Sequence, residues 1–368
     1  MERNRVLVGM SGGVDSAAAA ALLQDGGYEA VGCTLRLLDS VVLGQELESG
    51  CCSLEDVEDA RSVARRLGMD FFVFNFKDAF RRHVMDDFAA SYQAGRTPNP
   101  CIQCNRHIKF NALLQRADEL EIDYIATGHY ARVDRDSRTG RWRLLRGLDR
   151  RKDQSYVLYP LTQRHLSRLL LPVGALSKAE VRALAEERGL CNARKPDSQD
   201  ICFVPDGDYP AFLRRYCGAE LTPGDFVDTS GRGLGRHRGL ACYTTGQRRG
   251  LGVSADRPLY VLDKDGASNT VVLGDEAQLY SDTAWAEGFN WVSLPPQDGP
   301  LPVTAKTRYS QTEAAGTLYP EEDGRVRMEF DTPQRAVTAG QSLVAYQGEA
   351  VVGGGVICSA RRIPAYSL

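Results

Sequence analysis

Two stretches of this 368-residue chain gather residue types that do chemistry. The first is Ser11-Gly12-Gly13-Val14-Asp15-Ser16, directly after the apolar run Val6-Leu7-Val8-Gly9-Met10. A strand running into two glycines lets the backbone curl until its N–H groups converge, and a helix starting there adds its positive end. The result is a cradle for an anion, with phosphate its natural tenant. It is not a Walker loop, because the Gly-Lys-Ser/Thr ending is missing, and it lacks the G-x-G-x-x-G spacing of a dinucleotide fingerprint. The plainer alternative is a tight strand-to-helix turn in which Asp15 and Ser16 only cap the helix.

The second stretch is Asn99-Pro100-Cys101-Ile102-Gln103-Cys104, with two thiols three residues apart ahead of a helical pattern over 108–120. Near a helix N-terminus the dipole favours the thiolate, which makes Cys104 a candidate nucleophile. Cys202 is distant in sequence, and spacing alone does not bring it to the pair. A lone Cys-x-x-Cys admits four readings: a thioredoxin-like dithiol, half a zinc site with His107, part of an iron–sulfur site, or two small residues in a loop. Ten cysteines are too sparse here for a disulfide scaffold. Cys33, Cys51, Cys52, Cys191, Cys217, Cys242 and Cys358 read as small buried apolar residues.

The elements that must position these groups show in the hydrophobic pattern. Short apolar runs at 6–10, 30–35, 71–76 and 124–127 alternate with helical patterns at 15–25 and 54–67, each closed by glycine. That βαβ rhythm predicts an α/β fold with a doubly wound parallel sheet. A hairpin is expected over 131–145, turning at 136–140, and Ser177 with Glu180 forms a capping box opening a helix that ends near Gly189. Within 132–152, nine Lys or Arg stand against three Asp, either a surface that tracks a phosphate backbone or a solvated hairpin. From 221 onward, glycine, proline and β-branched residues dominate, with strands expected at 259–262, 271–273, 303–307, 325–330 and 342–346, which suggests a small β-barrel. The three expected units are 1–205, 206–277 and 278–368. With 43% hydrophobic and 25% charged residues and a net charge of −3, disorder and collagen-like readings are excluded. No apolar run nears the ~20 residues of a membrane span, so a cytoplasmic protein is expected, with no membrane partner.

The Ser-Gly-Gly-x-Asp-Ser string resembles the pyrophosphate loop of the ATP pyrophosphatases, which split ATP between its α and β phosphates and pass AMP to an acceptor. Taken with Gly95-Arg-Thr-Pro-Asn-Pro100, Cys104-Asn105, Tyr124-Ile-Ala-Thr-Gly-His-Tyr130, Lys152-Asp-Gln-Ser-Tyr156, Asp200-Ile-Cys-Phe203, Thr245-Gly-Gln-Arg-Arg-Gly-Leu-Gly252 and Ala339-Gly-Gln-Ser342, it resembles the tRNA-specific 2-thiouridylase family over essentially the whole chain.

That resemblance implies an N-terminal adenine-nucleotide domain, a small central domain and a C-terminal β-barrel. It implies replacement of the C2 oxygen of the wobble uridine by sulfur, in tRNAs for Lys, Glu and Gln. ATP with Mg2+ would be bound by Gly9, Met10, Ser11, Gly12, Gly13, Val14, Asp15, Ser16, Leu35 and Gly128. Cys104 matches the nucleophile and Cys202 the persulfide carrier, loaded by a relay protein or cysteine desulfurase, with a disulfide bond between thiols among the family's features. Asn99, Pro100 and Cys101 would border the flipped uridine, while His129, Lys152, Asp153, Gln154, Arg308, Tyr309 and Gln341 would contact tRNA. A monomer is implied. Cys101 departs from the pattern, because many members carry there an aspartate proposed as acid or base. Either another group moves the proton, or Cys101, Cys104 and Cys202 ligate an iron–sulfur cluster whose open iron binds sulfide. Two rivals stand beside this reading: an amide-forming adenylating ligase, and a noncatalytic zinc-containing RNA-binding protein.

Overall fold

The computed structural model describes residues 4–38, 41–42, 45–46, 54–197, 201–218 and 221–363. Cys51, Cys52 and Asp200 lie outside the described residues. The first domain carries a parallel sheet in the order Phe71–Asn75, Glu29–Arg36, Arg5–Gly9, Tyr124–Thr127 and Leu169–Leu170. Val6 pairs with Ala30 on one side and Tyr124 on the other. The chain winds outward from the central strand to one edge, then returns to the other side, so the sheet is doubly wound. A crevice opens where the two directions part, at the carboxyl ends of Arg5–Gly9 and Tyr124–Thr127.

Helix Val14–Asp25 lies behind that crevice with Ala17 to Ala21 all fully buried. A helix of alanines is thin enough to be covered on every side, here by the sheet and by helix Lys178–Glu187. Helix Leu54–Arg66 is amphipathic, with Glu55 and Asp56 at its start and Arg65 and Arg66 at its end, as its dipole favours. The capping box is present: Ser177 accepts from the Glu180 N–H, and the Glu180 carboxylate from the Ser177 N–H.

The central domain is a four-stranded sheet, ordered Gly233–His237, Gly224–Val227, Thr270–Gly274 and Tyr260–Asp265. The C-terminal barrel runs Tyr280–Trp291, Val326–Arg335, Ala314–Pro320, Leu301–Lys306, Ser342–Gln347 and Ala350–Arg362, and closes where Ser281 pairs with Arg362. Three of these strands were not expected from sequence. Gly353-Gly354-Gly355 reads as a turn, yet lies mid-strand, because a Cβ on Gly354 would sit 2.7 Å from the Tyr159 ring. Among the described residues no helix is long and apolar enough to cross a membrane.

The arginine-rich hairpin, Ala131–Arg135 and Trp142–Arg146, belongs to the barrel rather than to solvent. Leu145 pairs with Ala350 and extends the barrel sheet. Arg132 and Arg150 both engage Glu349, and Arg143 engages Asp134. Arg146, its side chain 7% exposed, engages Glu313 and lies 3.8 Å from the Tyr346 ring centroid. Arg141 donates to the carbonyls of Trp291 and Val292 (2.9 and 3.3 Å). Four of the nine, Arg132, Arg141, Arg146 and Arg150, join the first domain to the barrel.

Candidate active site

Gly12 takes φ +73, and a Cβ there would lie 2.6 Å from the Asp56 carbonyl oxygen, so only glycine lets the loop pack on the helix beside it. Gly128 presses on the same loop from the next strand, where a Cβ would meet the Asp15 carbonyl carbon and the Ser16 nitrogen at 2.6 Å. Ser16 Oγ accepts from the Ser11 N–H (3.2 Å) and donates to the Gly13 carbonyl (3.0 Å), fixing the curl. Gly13 is the helix N-cap and has no side chain to cap with, which turns the first helical N–H groups toward an anion.

In front of the loop lies a cavity of about 480 Å3, within the range of small-molecule sites. It brings together Gly9, Met10, Ser11, Gly13, Val14, Asp15 and Ser16 with Leu35, Gly128, His129, Lys152, Gln154 and Tyr309. Asp15 does more than cap. Its carboxylate accepts from the Lys178 ammonium on both oxygens (2.7 and 2.8 Å) and from the Tyr130 hydroxyl (2.7 Å). Lys178 also reaches Asp197 (2.7 Å), which takes Lys152 (2.7 Å) and Arg182 (3.1 Å). Burial works to raise the Asp197 carboxyl, but hydrogen bonds from Lys152 and Lys178 hold it down at about 2. Burial, and then the nearby Lys109 charge, keep His129 well below its ordinary pKa, so its imidazole is neutral; Nδ1 shares a hydrogen bond with Thr127 Oγ1 (2.8 Å).

The cysteine helix starts at Pro100, earlier than the expected 108, and holds both thiols. Asn99 caps it by accepting from the Cys101 N–H (3.2 Å), and Pro100 takes the first position, where a missing N–H costs nothing. It continues through a π-type stretch, Cys104–Ala112, into Leu113–Glu119. Cys101 is exposed and Cys104, one turn on, is buried. Cys104 lies in an apolar cluster with Phe88, Phe203 and Phe212, and Cys202 packs against that same cluster. The Phe203 ring meets Phe80 and Phe88 edge-on at 5.8 and 5.2 Å, which pins the segment bearing Cys202. Leu35 packs on this cluster and also lines the cavity. Of the other cysteines Cys33 is buried as expected, whereas Cys191 and Cys217 are exposed and Cys242 and Cys358 half-buried.

The remaining residues divide. Tyr309 lines the cavity, and its phenol is pushed up by burial, then by Asp153 and Cys101 nearby. Asp153 is a buried turn anchor, accepting from the Gly147 and Ser155 N–H groups (2.9 and 3.1 Å). Arg308 is spent on the carbonyls of Thr245 and Ala336 (3.2 and 2.7 Å). Gln341 donates to the Thr97 carbonyl (2.9 Å), two residues before Asn99.

Comparison with known proteins agrees with this architecture. Residues 4–206 match the tRNA methyl transferase HUP domain, 210–275 its PRC-barrel domain and 281–357 the aminomethyltransferase β-barrel domain. The tRNA-specific 2-thiouridylase MnmA of Acetivibrio thermocellus is 51% identical, covering 97% of this chain and 100% of that protein. The protein of that name from Moorella thermoacetica is 50% identical, covering 97% and 100%. The chain belongs to the tRNA-specific 2-thiouridylase family of enzymes. A solved 4-thiouridine synthetase–RNA complex with bound ATP is a remote likeness, 16% identical over 55% of this chain and 45% of that one, at a TM-score of 0.35.

Among the described residues no group of three or more His, Cys, Asp or Glu is disposed around a metal. Cys101 lies near Tyr309 of the barrel, while Cys104 and Cys202 share the apolar cluster. Sequence reasoning missed Lys178, Asp197, Lys195 and Asn192. Asn192 donates to the Gly12 and Gly13 carbonyls (both 3.1 Å), and Lys195 spans Asp56 and Asp59 (2.8 and 2.5 Å). The capping box does locate Lys178 at a helix start, but nothing in it says which way the ammonium reaches.

Proposed function

We propose that the chain replaces the C2 oxygen of the wobble uridine in tRNA with sulfur, consuming ATP and releasing AMP and pyrophosphate. The observation that carries this is Leu35, one side of which lines the cavity of the phosphate loop while the other packs on the cluster of Cys104 and Cys202. A uracil carbonyl oxygen is a poor leaving group, so the O2 oxygen first attacks the α phosphate, expels pyrophosphate and becomes the leaving oxygen of AMP. The 9–16 loop and Gly128 hold the phosphates, and Lys178 and Lys152 balance their charge. Mg2+ needs only one or two carboxylates besides phosphate oxygens, and Asp15 is the residue that would hold it; bound there, it neutralises charge on the pyrophosphate.

Cys202 then presents a persulfide, loaded by a sulfur-donor protein. Its outer sulfur attacks C2 and AMP departs. The Cys104 thiolate attacks the Cys202 sulfur, the old S–S bond breaks, and the electron pair stays on the delivered sulfur. A Cys104–Cys202 disulfide remains, to be reduced before the next turnover. The neutral His129 imidazole in the cavity wall resists protonation, so it acts there as a hydrogen-bonding group and not as the proton acceptor. The reading extends to a cytoplasmic protein, since the substrate is tRNA. The test is mass spectrometry of nucleosides from tRNA incubated with the enzyme, ATP and a persulfide donor. We expect 2-thiouridine at the wobble position with AMP in step; AMP without 2-thiouridine under reducing conditions would sink the sulfur-transfer reading and favour the amide-forming ligase.

A further inference from the structure

The hairpin arginines other than Arg138, at its tip, are held by carboxylates and carbonyls of this same chain. Arg248 and Arg249 in the central domain are not: both are exposed, and neither guanidinium has a hydrogen-bond or ion-pair partner among the described residues. The turn that bears them is built, not loose. Tyr243 and Leu251 anchor its ends in the domain core, at 1% and 8% exposure. Gln247 staples it from inside: Oε1 accepts from the Thr244 N–H (3.0 Å) and Nε2 donates to the Arg249 carbonyl (2.9 Å). Strand Tyr260–Asp265 holds the base through Gly246 N–H to the Val261 carbonyl (2.8 Å) and Val261 N–H to the Gln247 carbonyl (2.9 Å). Gly246, Gly250 and Gly252 supply the positive φ values, +89, +76 and +68, that such a turn demands. With its base bonded to the neighbouring strand and its one amide bonded within the turn, it offers solvent two guanidinium groups.

Its position is on the side of the site. Arg308 donates to the Thr245 carbonyl (3.2 Å), and the next residue, Tyr309, lines the cavity. Arg151, exposed on the cavity wall, likewise has no carboxylate partner among the described residues. A chain of net charge −3 does not attract a polyanion through its overall field. Attraction then depends on cations not already neutralised, and on ones whose ordering is already done.

We infer that the 246–252 turn is a contact for the phosphate backbone of the RNA substrate, with Arg248 and Arg249 on phosphates and Arg151 continuing the track to the cavity. The inference rests on the tRNA-thiolating reading and adds where the RNA is gripped. Guanidinium forks suit phosphate oxygens, and such contacts set register without reading sequence.

The experiment measures tRNA affinity against salt for the wild type, for Arg248→Ala/Arg249→Ala, and for Arg65→Ala/Arg138→Ala, which removes the same charge from two other exposed arginines. Loss of two phosphate contacts should make the log–log slope less negative by about 1.4 to 1.8. The KM for tRNA should rise roughly tenfold near physiological salt, with kcat and ATP binding within about twofold, while the control pair keeps the wild-type slope. An unchanged slope in the Arg248/Arg249 variant overturns the inference. So does an equal change in the control pair, which would mean a diffuse field. Unaltered tRNA affinity with impaired sulfur uptake from a persulfide-donor protein also overturns it, and would assign the turn to that protein. If the wild type neither binds nor thiolates tRNA, it is the underlying reading that fails.

Discussion

The phosphate loop and the cysteine helix stand on either side of Leu35, and they are held by different means. Among the described residues the loop is held from the first domain, by Gly128, Tyr130, Asp56, Lys178 and Asn192. The approach to the cysteine helix is gripped from outside. Thr97 donates to the Ala339 carbonyl (3.1 Å) and accepts from Gln341 (2.9 Å), both of the barrel. A Cβ on Gly340 would lie 2.9 Å from the Thr97 nitrogen, and one on Gly95 would lie 3.5 Å from the Lys264 carbonyl of the central domain. The loop is thus held by one domain, whereas the approach to the thiols is held by three.

The largest effects should separate the two walls outright. In Cys104→Ala or Cys202→Ala, thiolation should vanish while a single-turnover burst of pyrophosphate persists, because adenylation needs neither sulfur. Cys101→Ser should retain thiolation within about tenfold, since a positioning contact is worth less than a nucleophile. Loss of the pyrophosphate burst in either alanine variant would break the comparison. Next comes Gly128→Ala. Its added methyl must displace the loop backbone, and displacements near 1 Å cost on the order of a hundredfold in rate. AMP formation should fall by about that factor with tRNA affinity within roughly threefold, as read by filter binding.

A smaller effect sharpens the claim that the barrel positions the thiols. Gln341→Ala removes one neutral hydrogen bond, worth about 1 kcal/mol. Thiolation should drop roughly fivefold while the single-turnover pyrophosphate burst holds, and an equal drop in both would show that the walls move together.

The same contrast explains what could be read from sequence. The phosphate loop, its flanking strand and its helix are local, so Ser11 to Ser16 announce them within a few residues. The cap at Asn99-Pro100 was also local, yet the helix start was read late, because Cys101, Gln103 and Asn105 carry no apolar period until the π-type stretch. The hairpin arginines show the opposite case. Their partners Glu313 and Glu349 lie more than 160 residues away, and charge counted along the chain cannot see neutralisation across space. Lys178 was likewise invisible as a site residue, since Asp15 is 163 positions from it. The barrel strand at 350–362 was lost to its glycines, whose reason is the Tyr159 ring.

The smallest predicted effect tests the central domain's half of the grip. Lys264 Nζ is buried with no hydrogen-bond acceptor, 5.7 Å from the Tyr92 ring centroid, beside the loop at Gly95. Burial pulls its pKa from the ordinary 10.5 down to about 8, with Asp263 opposing. A base whose folded pKa is depressed binds protons less well folded than unfolded. Below pH 8 both states are charged and the folded state bears the whole desolvation penalty; between pH 8 and 10.5 the penalty is progressively relieved; above that it is gone. Lys264→Met keeps the chain length and removes the charge, so it should raise the unfolding midpoint at pH 7, and that advantage over the wild type should shrink as pH rises from 8 to 10.5. Thermal unfolding of both proteins across that range reads the difference. Thiolation at pH 7 should stay within about twofold, because the loop at Gly95 rests on the Lys264 backbone and not on its ammonium. A destabilised Lys264→Met at pH 7 would mean that the cation–ring contact with Tyr92 outweighs the desolvation of the charge, and that the grip from the central domain is electrostatic rather than steric.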